Sequence, residues 1–111
     1  DFAKEIAPAR TFVLYEEVAG LLDRELARGG SLDNVIVIWQ DRMSSRLRFR
    51  DELVRHKIVD MIGDLALAGG IINAEILAVR SGHALNVEFA KEVLRLVGGR
   101  KRSARTGAVT V

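Results

Sequence analysis

The chain has 111 residues, of which 49% are hydrophobic and 29% are charged, and its formal net charge is only +2. This composition is ordinary for a globular protein and gives no reason to expect a nucleic-acid partner. The absence of cysteine excludes disulfides and thiolate metal sites and is consistent with a cytoplasmic protein. The apolar runs are too short to span a bilayer, so we expect membrane contact to be transient at most.

The first half of the chain predicts a strand, a helix and a second strand, in that order. Residues 9–13 are apolar and partly β-branched, which indicates an extended segment. Residues 16–27 carry apolar side chains at helical spacing, and Gly29 and Gly30 end the predicted helix. Residues 34–39 (NVIVIW) form a continuous, largely β-branched run between polar residues, which predicts a buried strand.

The second half of the chain predicts a loop, two long helices and a strand between them. Residues 40–50 are polar and arginine-rich, as in a loop, and residues 51–68 form the longest helical segment. The apolar run at residues 71–79, with two polar interruptions, predicts a third strand. Residues 83–97 predict the last helix, and residues 100–111 lack periodicity and are expected to form a disordered basic tail.

The alternation of strands and helices predicts an α/β or α+β fold with a small sheet. Three strands would leave exposed sheet edges, which complete domains usually cover or protect. The first residue is Asp1 rather than methionine. We therefore expect this sequence to be a piece of a longer polypeptide.

The helix predicted over residues 51–68 carries one narrow polar face. At about 100° per residue, His56, Lys57, Asp60 and Asp64 fall within an arc of about 100°. His56 and Asp60 are four residues apart, so an imidazole and a carboxylate lie one above the other and can bind one metal ion. Nitrogen and oxygen ligands suit Zn²⁺, but catalytic zinc usually has three protein ligands. The apolar residues expected to bury the rest of this helix are Val54, Ile58, Met61, Ile62 and Leu65.

A simpler alternative is that this polar face is only solvated. Solvated helix faces favour Glu, Lys, Gln and Arg, so a histidine with two aspartates favours a functional site. The other histidine, His83, opens a predicted helix after Ser81 and Gly82, where the helix dipole disfavours a charged imidazole. His83 is therefore either a second functional imidazole or a structural residue.

Four segments resemble one enzyme family, in the same order along the chain. RHKIVDMIGDLALAG (residues 55–69) and RSGHALN (residues 80–86) are similar to motifs of the bacterial UDP-3-O-acyl-N-acetylglucosamine deacetylases, which catalyse the committed step of lipid A synthesis. APARTF (residues 7–12) and GGSLDNVIV (residues 29–37) resemble the same family. The resemblance extends over residues 2–97.

The resemblance implies an α+β fold in which a small sheet packs against helices as a two-layer sandwich. Residues 1–99 would be the C-terminal part of the second domain of a two-domain enzyme, with a βαβ insert at about residues 12–38. The tail at residues 100–111 has no counterpart in the family. The implied reaction is the hydrolysis of the N-acetyl group of UDP-3-O-acyl-N-acetylglucosamine, which releases acetate and depends on one catalytic Zn²⁺. The implied location is cytoplasmic.

The resemblance also implies roles for individual polar residues. His56 and Asp60 correspond to two of three zinc ligands. His83 corresponds to the general acid that protonates the leaving amine, and Asp64 to the carboxylate that orients it. Lys57 corresponds to a substrate contact near the metal and the phosphates.

Further residues correspond to parts of the substrate site. Thr11 matches the hydroxyl that hydrogen-bonds the tetrahedral intermediate, and Phe12 matches a wall of the sugar site. Residues 13–38 resemble the family's insert, whose apolar side chains form a passage for the fatty acyl chain, although each of them is alternatively plain core. The other residues assigned to substrate binding are Leu14, Val18, Leu21, Gly30, Ser31, Val35, Val37 and Arg80.

Two essential parts of the family's site are absent from this sequence. The third zinc ligand, a histidine, and the glutamate general base belong to the family's first domain, so we expect the chain alone to be inactive. Its expected partners are that domain, in the same polypeptide or in another chain, and the nucleotide-sugar substrate. Val13 stands where the family usually has glycine, and Arg80 stands where many members have lysine.

Two other functions stay open. The chain could be a non-catalytic scaffold or pseudoenzyme half of the same family, although His56, Asp60, Asp64 and His83 are all retained. It could instead bind nucleic acid or an anionic membrane surface, but its arginine-rich segments have little aromatic interleaving. These segments comprise Arg46, Arg48, Arg50 and residues 100–105.

Overall fold

The computed structural model describes residues 1–22, 31 and 33–99. Within these residues the elements, in chain order, are α1 (Phe2–Glu5), β1 (Thr11–Leu14), α2 (Tyr15–Leu22), β2 (Val35–Ile38), α3 (Glu52–Ala66) and α4 (His83–Gly99). The two parallel strands and four helices of these described residues form a small α+β structure, as the resemblance implies. The chain divides into two compact units, Asp1–Val59 and Asp60–Val111.

The first unit contains a parallel pair of strands. β1 and β2 pair in register from Thr11 opposite Val35 to Leu14 opposite Ile38. Parallel neighbours cannot be joined by a tight turn, and α2 begins immediately after β1 as part of the crossover between them. Ile36 in β2 is completely buried, because a β-branched residue packs well on a covered sheet surface. The two predicted strands are confirmed.

The loop after β2 folds back along that strand. Ile38 forms an antiparallel bridge with Met43. The Val37 backbone N–H donates to Ser44 Oγ over 3.0 Å, and the Ser44 N–H donates to the Val37 carbonyl over 2.9 Å. The arginine-rich loop predicted at residues 40–50 is therefore fixed to the strand that precedes it.

α3 ends in a glycine turn, as predicted. The N–H groups of Leu67, Ala68 and Gly69 each donate to the carbonyl three residues earlier. Gly69 has φ of +70°, a left-handed conformation that glycine adopts without a steric cost. In the second unit, the buried apolar side chains of the described residues are Leu65 in α3 and Ala90 in α4.

Residues 71–79 do not form a strand, so that prediction is wrong. Ile71 is fully exposed, and Leu77 and Val79 are 91% and 71% exposed. A strand forms only where a neighbouring chain segment supplies hydrogen-bond partners. The described residues pair no strand with this segment. Its apolar composition favours an extended conformation, but composition alone does not provide a neighbouring strand to pair with.

The apolar side of α3 is also less buried than predicted. Val54, Ile58 and Ile62 are exposed, Met61 is half-buried, and only Leu65 is buried. Helical spacing determines that such side chains share a face of the helix. Burial requires a second element against that face, which spacing along one helix does not predict.

The remaining helix predictions differ from the structure mainly at their ends. The helix predicted at residues 16–27 is observed from Tyr15 to Leu22, and its later residues, with Gly29 and Gly30, lie outside the described part of the chain. The last helix, predicted at residues 83–97, is confirmed and continues to Gly99. The tail at residues 100–111 is also outside the described part of the chain. No helix in the described residues is long and apolar enough to cross a membrane.

Candidate functional site

A carboxylate of α3 contacts the imidazole at the start of α4. Asp64 Oδ2 lies 2.8 Å from His83 Nδ1 and accepts a second hydrogen bond, 2.9 Å long, from the side-chain amide of Asn86. Asn86 lies three residues after His83, so both side chains reach the carboxylate from one face of α4. Asn86 is only 3% exposed, whereas the His83 side chain is 71% exposed. The ring is thus anchored at Nδ1 while most of its surface faces solvent.

These hydrogen bonds lower the pKa of Asp64. The bond from Asn86 is the largest cause, the bond with His83 is the next, and desolvation of the carboxylate acts in the opposite direction. A carboxyl group with a lowered pKa is ionised near neutral pH. Its negative charge therefore lies within hydrogen-bond distance of the His83 ring.

A second carboxylate of α3 approaches the same ring. Asp60 lies one helical turn before Asp64, and its Oδ1 atom is 3.9 Å from His83 Nε2. The Asp60 side chain is largely buried, at 17% exposure. The two ring nitrogens of His83 therefore face different carboxylates, one within a hydrogen bond and the other at the outer limit of an ion pair.

A backbone carbonyl group in the first unit fixes the tautomer of the other histidine, His56. His56 Nδ1 lies 2.9 Å from the backbone carbonyl oxygen of Ala9, and Ala9 is buried. A carbonyl oxygen only accepts hydrogen bonds, so Nδ1 carries the proton. In the neutral ring the lone pair is then on Nε2, the nitrogen through which histidine can bind a metal ion.

A shallow cavity in the first unit brings together several of the predicted site residues. It lies where the chain enters β1 and β2 beside α3, and Thr11, Val35 and His56 are among the residues that line it. Close to β1, the Lys57 ammonium group lies 5.5 Å from the centre of the Phe12 ring, within the range of a cation–π contact. The side chains of Thr11 and Phe12 are partly buried.

The other residues assigned to substrate binding do not line this cavity. Leu14 and Ser31 are exposed, whereas Val18 and Val37 are partly buried. Arg80 is exposed and has φ of +54°, a left-handed conformation that is uncommon outside glycine. The predicted positions outside the described part of the chain are the Leu21 side chain and Gly30.

Two features, one in each unit, were not predicted from the sequence. The first is the hydrogen bond from the Asn86 amide to Asp64. The three-residue spacing of Asn86 from His83 could have indicated it, because residues three apart share a helix face. The second is an ion pair between Arg10 and Glu52, whose Nε and Oε1 atoms are 2.9 Å apart and whose side chains are 8% and 0% exposed. No pattern in the sequence links two charged residues that are 42 positions apart.

The donor atoms of α3 suit part of a metal site. His56 offers a nitrogen lone pair in the tautomer set by Ala9, and Asp60, four residues further along α3, offers a carboxylate. Such nitrogen and oxygen donors fit Zn²⁺. Among the residues that the structure describes, no three His, Asp or Glu side chains are grouped so as to hold a metal ion. The chemistry of this imidazole nitrogen and this carboxylate is compatible with a catalytic zinc, which usually has three protein ligands.

Comparison with known proteins agrees with the resemblance found in the sequence. The family model described as "LpxC: UDP-3-O-acyl N-acetylglycosamine deacetylase" matches residues 1–95. The UDP-3-O-acyl-N-acetylglucosamine deacetylase of Chlamydia caviae is 51% identical over 98 residues, covering 86% of this chain and 35% of the relative. The protein of the same name from Chlamydia pneumoniae is 53% identical over 95 residues, covering 84% of this chain and 34% of the relative.

The chain spans about a third of the length of the curated relatives that it matches. The family model nevertheless covers most of the chain itself, from its first residue to residue 95. The matched region contains β1, β2, α3 and all four of the polar residues His56, Asp60, Asp64 and His83. The chain belongs to the UDP-3-O-acyl-N-acetylglucosamine deacetylase family of lipid A biosynthesis.

Proposed function

We propose that this chain supplies part of the active site of a zinc-dependent deacetylase. The complete enzyme would hydrolyse the N-acetyl group of UDP-3-O-acyl-N-acetylglucosamine and release acetate, the committed step of lipid A synthesis. The observation that carries the proposal is the contact of His83 with Asp64 at 2.8 Å, on an imidazole that is otherwise exposed. An imidazole that faces solvent and is held in place by a hydrogen-bonded carboxylate is suited to proton transfer.

The proposed metal ligands in this chain are His56, through Nε2, and Asp60, through its carboxylate. Their spacing of four residues places both on one face of α3, and the Ala9 carbonyl supports the required tautomer of His56. A bound zinc ion would supply polarisation of the amide carbonyl and a lowered pKa of a bound water molecule. The third ligand and the general base are proposed to lie in the family's first domain, in the same polypeptide or in another chain.

His83 is proposed to act as the general acid. With Nδ1–H donating to Asp64, the transferable proton is on Nε2 of the imidazolium ring. As the carbon–nitrogen bond of the amide breaks, this proton moves to the glucosamine nitrogen and the ring is left neutral. Asp64 keeps the ring in one orientation throughout, and Asn86 keeps the carboxylate in place.

The first unit is proposed to bind the sugar and to stabilise developing charge. The Thr11 hydroxyl would donate to the oxyanion of the tetrahedral intermediate, and its place on the cavity that His56 also lines supports this role. Lys57, above the Phe12 ring, would contact the substrate near the metal and the phosphates. The acyl chain and diphosphate contacts are proposed for Leu14, Val18, Leu21, Gly30, Ser31, Val35, Val37 and Arg80.

The proposed division of the chain follows from the same family relationship. Residues 1–99 would be the C-terminal part of the second deacetylase domain, and residues 12–38 would include its βαβ insert. The parallel pairing of β1 with β2 and the position of α2 directly after β1 support that division.

Acetate release from the nucleotide-sugar substrate tests this function. We expect no release by the 111 residues alone, because one ligand and the general base are absent. Addition of the family's first domain, fused or as a second chain, should produce zinc-dependent release, and His83→Ala in that complete enzyme should abolish most of it. Release by the isolated chain, or full activity of the His83→Ala enzyme, would contradict the proposal.

A further inference from the structure

The first unit contains a buried ion pair that no catalytic step uses. Glu52 has no exposed surface, and Arg10 retains only 8% exposure of its side chain. Glu52 Oε1 accepts from both the backbone N–H and Nε of Arg10, over 3.0 and 2.9 Å, and Oε2 accepts from Arg10 Nη2 over 3.2 Å. The carboxylate therefore binds the backbone of Arg10 as well as its guanidinium group, which restricts the conformation of the chain at the entry to β1.

The pair also forms hydrogen bonds with the loop that precedes α3. Arg10 Nη1 donates to Ser45 Oγ over 2.9 Å, and Nη2 donates to the Arg46 carbonyl over 2.8 Å. The Arg48 backbone N–H donates to Glu52 Oε2. Three separate stretches of chain, at β1, in the loop and at the start of α3, are thus joined through two side chains.

Burial of an ion pair is weak evidence of a contribution to stability. Removing two charges from water costs free energy, and apolar replacements of similar volume are often equally stable. The hydrogen-bonding capacity of Arg10 is nevertheless almost fully used, through Nε, Nη1 and Nη2. A network of this kind fixes the positions of the chain segments that it joins, in addition to filling space.

Ala9 and His56 lie close to the two members of the pair along the chain. Ala9 directly precedes Arg10, and His56 follows Glu52 by one helical turn of α3. His56 Nδ1 lies 2.9 Å from the Ala9 carbonyl oxygen. The acceptor of this hydrogen bond therefore belongs to the residue before Arg10, and the donor belongs to the helix that carries Glu52. A shift of either ion-pair partner would move the donor relative to the acceptor.

We propose that Arg10 and Glu52 are positioning residues that hold His56 in the Nδ1–H tautomer and so direct its Nε2 lone pair towards a metal ion. The same pair fixes the backbone N-terminal to Thr11, the residue after Arg10. The part of this inference that concerns metal binding by Nε2 rests on the proposed function. The tautomer of His56 is a property of the chain without metal.

The tautomer is measured first, by ¹⁵N NMR of the imidazole nitrogens in the metal-free chain near pH 8. We expect His56 to have a protonated Nδ1 and an unprotonated Nε2. Arg10→Lys keeps the positive charge but cannot reproduce the forked contacts, so the variant should populate both tautomers. A wild-type ring protonated on Nε2 would overturn the proposal without any measurement on a variant.

Zinc affinity in the complete enzyme is measured next, by competition with a chelator. Residues that orient a metal ligand typically change metal affinity by about 10- to 100-fold when altered, and we expect a loss in that range for Arg10→Lys. Glu52→Asp, which keeps the charge on a shorter side chain, should lose less than Glu52→Gln. The matched control is Asp51→Asn, which removes an ion pair between the exposed residue just before α3 and Arg55, and which should bind zinc as the wild type does.

A structural role alone would give a different pattern. Arg10→Lys would then unfold at a lower temperature, while the folded protein would retain the His56 tautomer and the zinc affinity of the wild type. That result would overturn the proposal, and Glu52→Asp provides the same comparison if Arg10→Lys does not fold. Absence of acetate release by the wild-type complete enzyme would instead refute the proposed function, since neither the tautomer nor the zinc measurement requires turnover.

Discussion

Asp64 and His83 are 19 residues apart in the chain, yet their Oδ2 and Nδ1 atoms lie 2.8 Å from each other. One residue is in the last turns of α3 and the other opens α4. The carboxylate is kept in place by Asn86, which is buried, while the imidazole extends into solvent. This contact links two of the four segments that resemble the deacetylase family, residues 55–69 and 80–86, and it is the basis of the first two predictions.

Asp64→Asn should lower kcat/KM of the complete enzyme at neutral pH, while its zinc content remains unchanged. The substitution preserves the shape of the side chain but removes the ionised carboxylate that holds His83 Nδ1 and the Asn86 amide, so the proposed general acid is held less firmly. Steady-state kinetics and metal analysis check this, with Glu88→Gln on the exposed part of α4 as a control. Wild-type kcat/KM in the Asp64→Asn enzyme would exclude Asp64 as the residue that orients His83.

Asn86→Ala should raise the pKa of Asp64, because the hydrogen bond from Asn86 is the largest cause of its lowering. Loss of a buried hydrogen bond to a charged group should also reduce the free energy of unfolding by about 2 kcal/mol. A carboxyl ¹³C NMR titration and denaturant unfolding measure the two effects. Glu88→Ala, at an exposed position two residues further on, should show neither. An unchanged pKa of Asp64 in the Asn86→Ala chain would contradict the role assigned to the amide.

Protonation of Glu52 at acidic pH should lower the free energy of unfolding of the first unit. Hydrogen bonds from Arg10 are the main cause that lowers the pKa of this carboxyl group from 4.5 to about 2, against the effect of its burial. A lowered pKa in the folded state contributes stability that is present above about pH 4.5 and is lost as the pH falls towards 2. The loss over that interval should be roughly 3 kcal/mol.

Unfolding of the wild type and of Glu52→Gln from pH 7 to pH 2 measures this contribution. The variant should be less stable at pH 7, and the difference should shrink as the wild-type carboxylate is protonated. Asp51→Asn serves as the control, because its ion pair with Arg55 is solvent-exposed and screened. A difference that does not depend on pH would assign the effect of Glu52 to packing instead of charge.

His56→Ala and Asp60→Ala should each remove zinc from the complete enzyme, whereas His83→Ala should retain it. The first two substitutions delete proposed ligands, and a catalytic zinc with fewer than three protein ligands is bound weakly. His83 acts in the proposal through its proton and is not needed to hold the ion. Zinc content by mass spectrometry decides the matter. Stoichiometric zinc in the His56→Ala enzyme would exclude that imidazole as a ligand.

The order of residues alone determined the features that depend on near neighbours in the chain. Helical periodicity predicted α3 and α4, the β-branched run predicted β2, and the spacing of His56 and Asp60 predicted an imidazole and a carboxylate on one helix face. Each of these rests on interactions within about four residues, which the local geometry of a helix or strand fixes whatever surrounds it. The motifs that carry the family resemblance are equally local.

Tertiary structure decided which distant groups meet and which surfaces are covered. It brought Asp64 to His83 and Asn86, and it buried Arg10 against Glu52, a pair separated by 42 residues that the sequence presents as two ordinary surface charges. It also left residues 71–79 without a strand partner in the described part of the chain, and one apolar face of α3 exposed. Contact and burial depend on the path of the whole chain, whereas hydrophobic and β-branched patterns record only the preference of each segment.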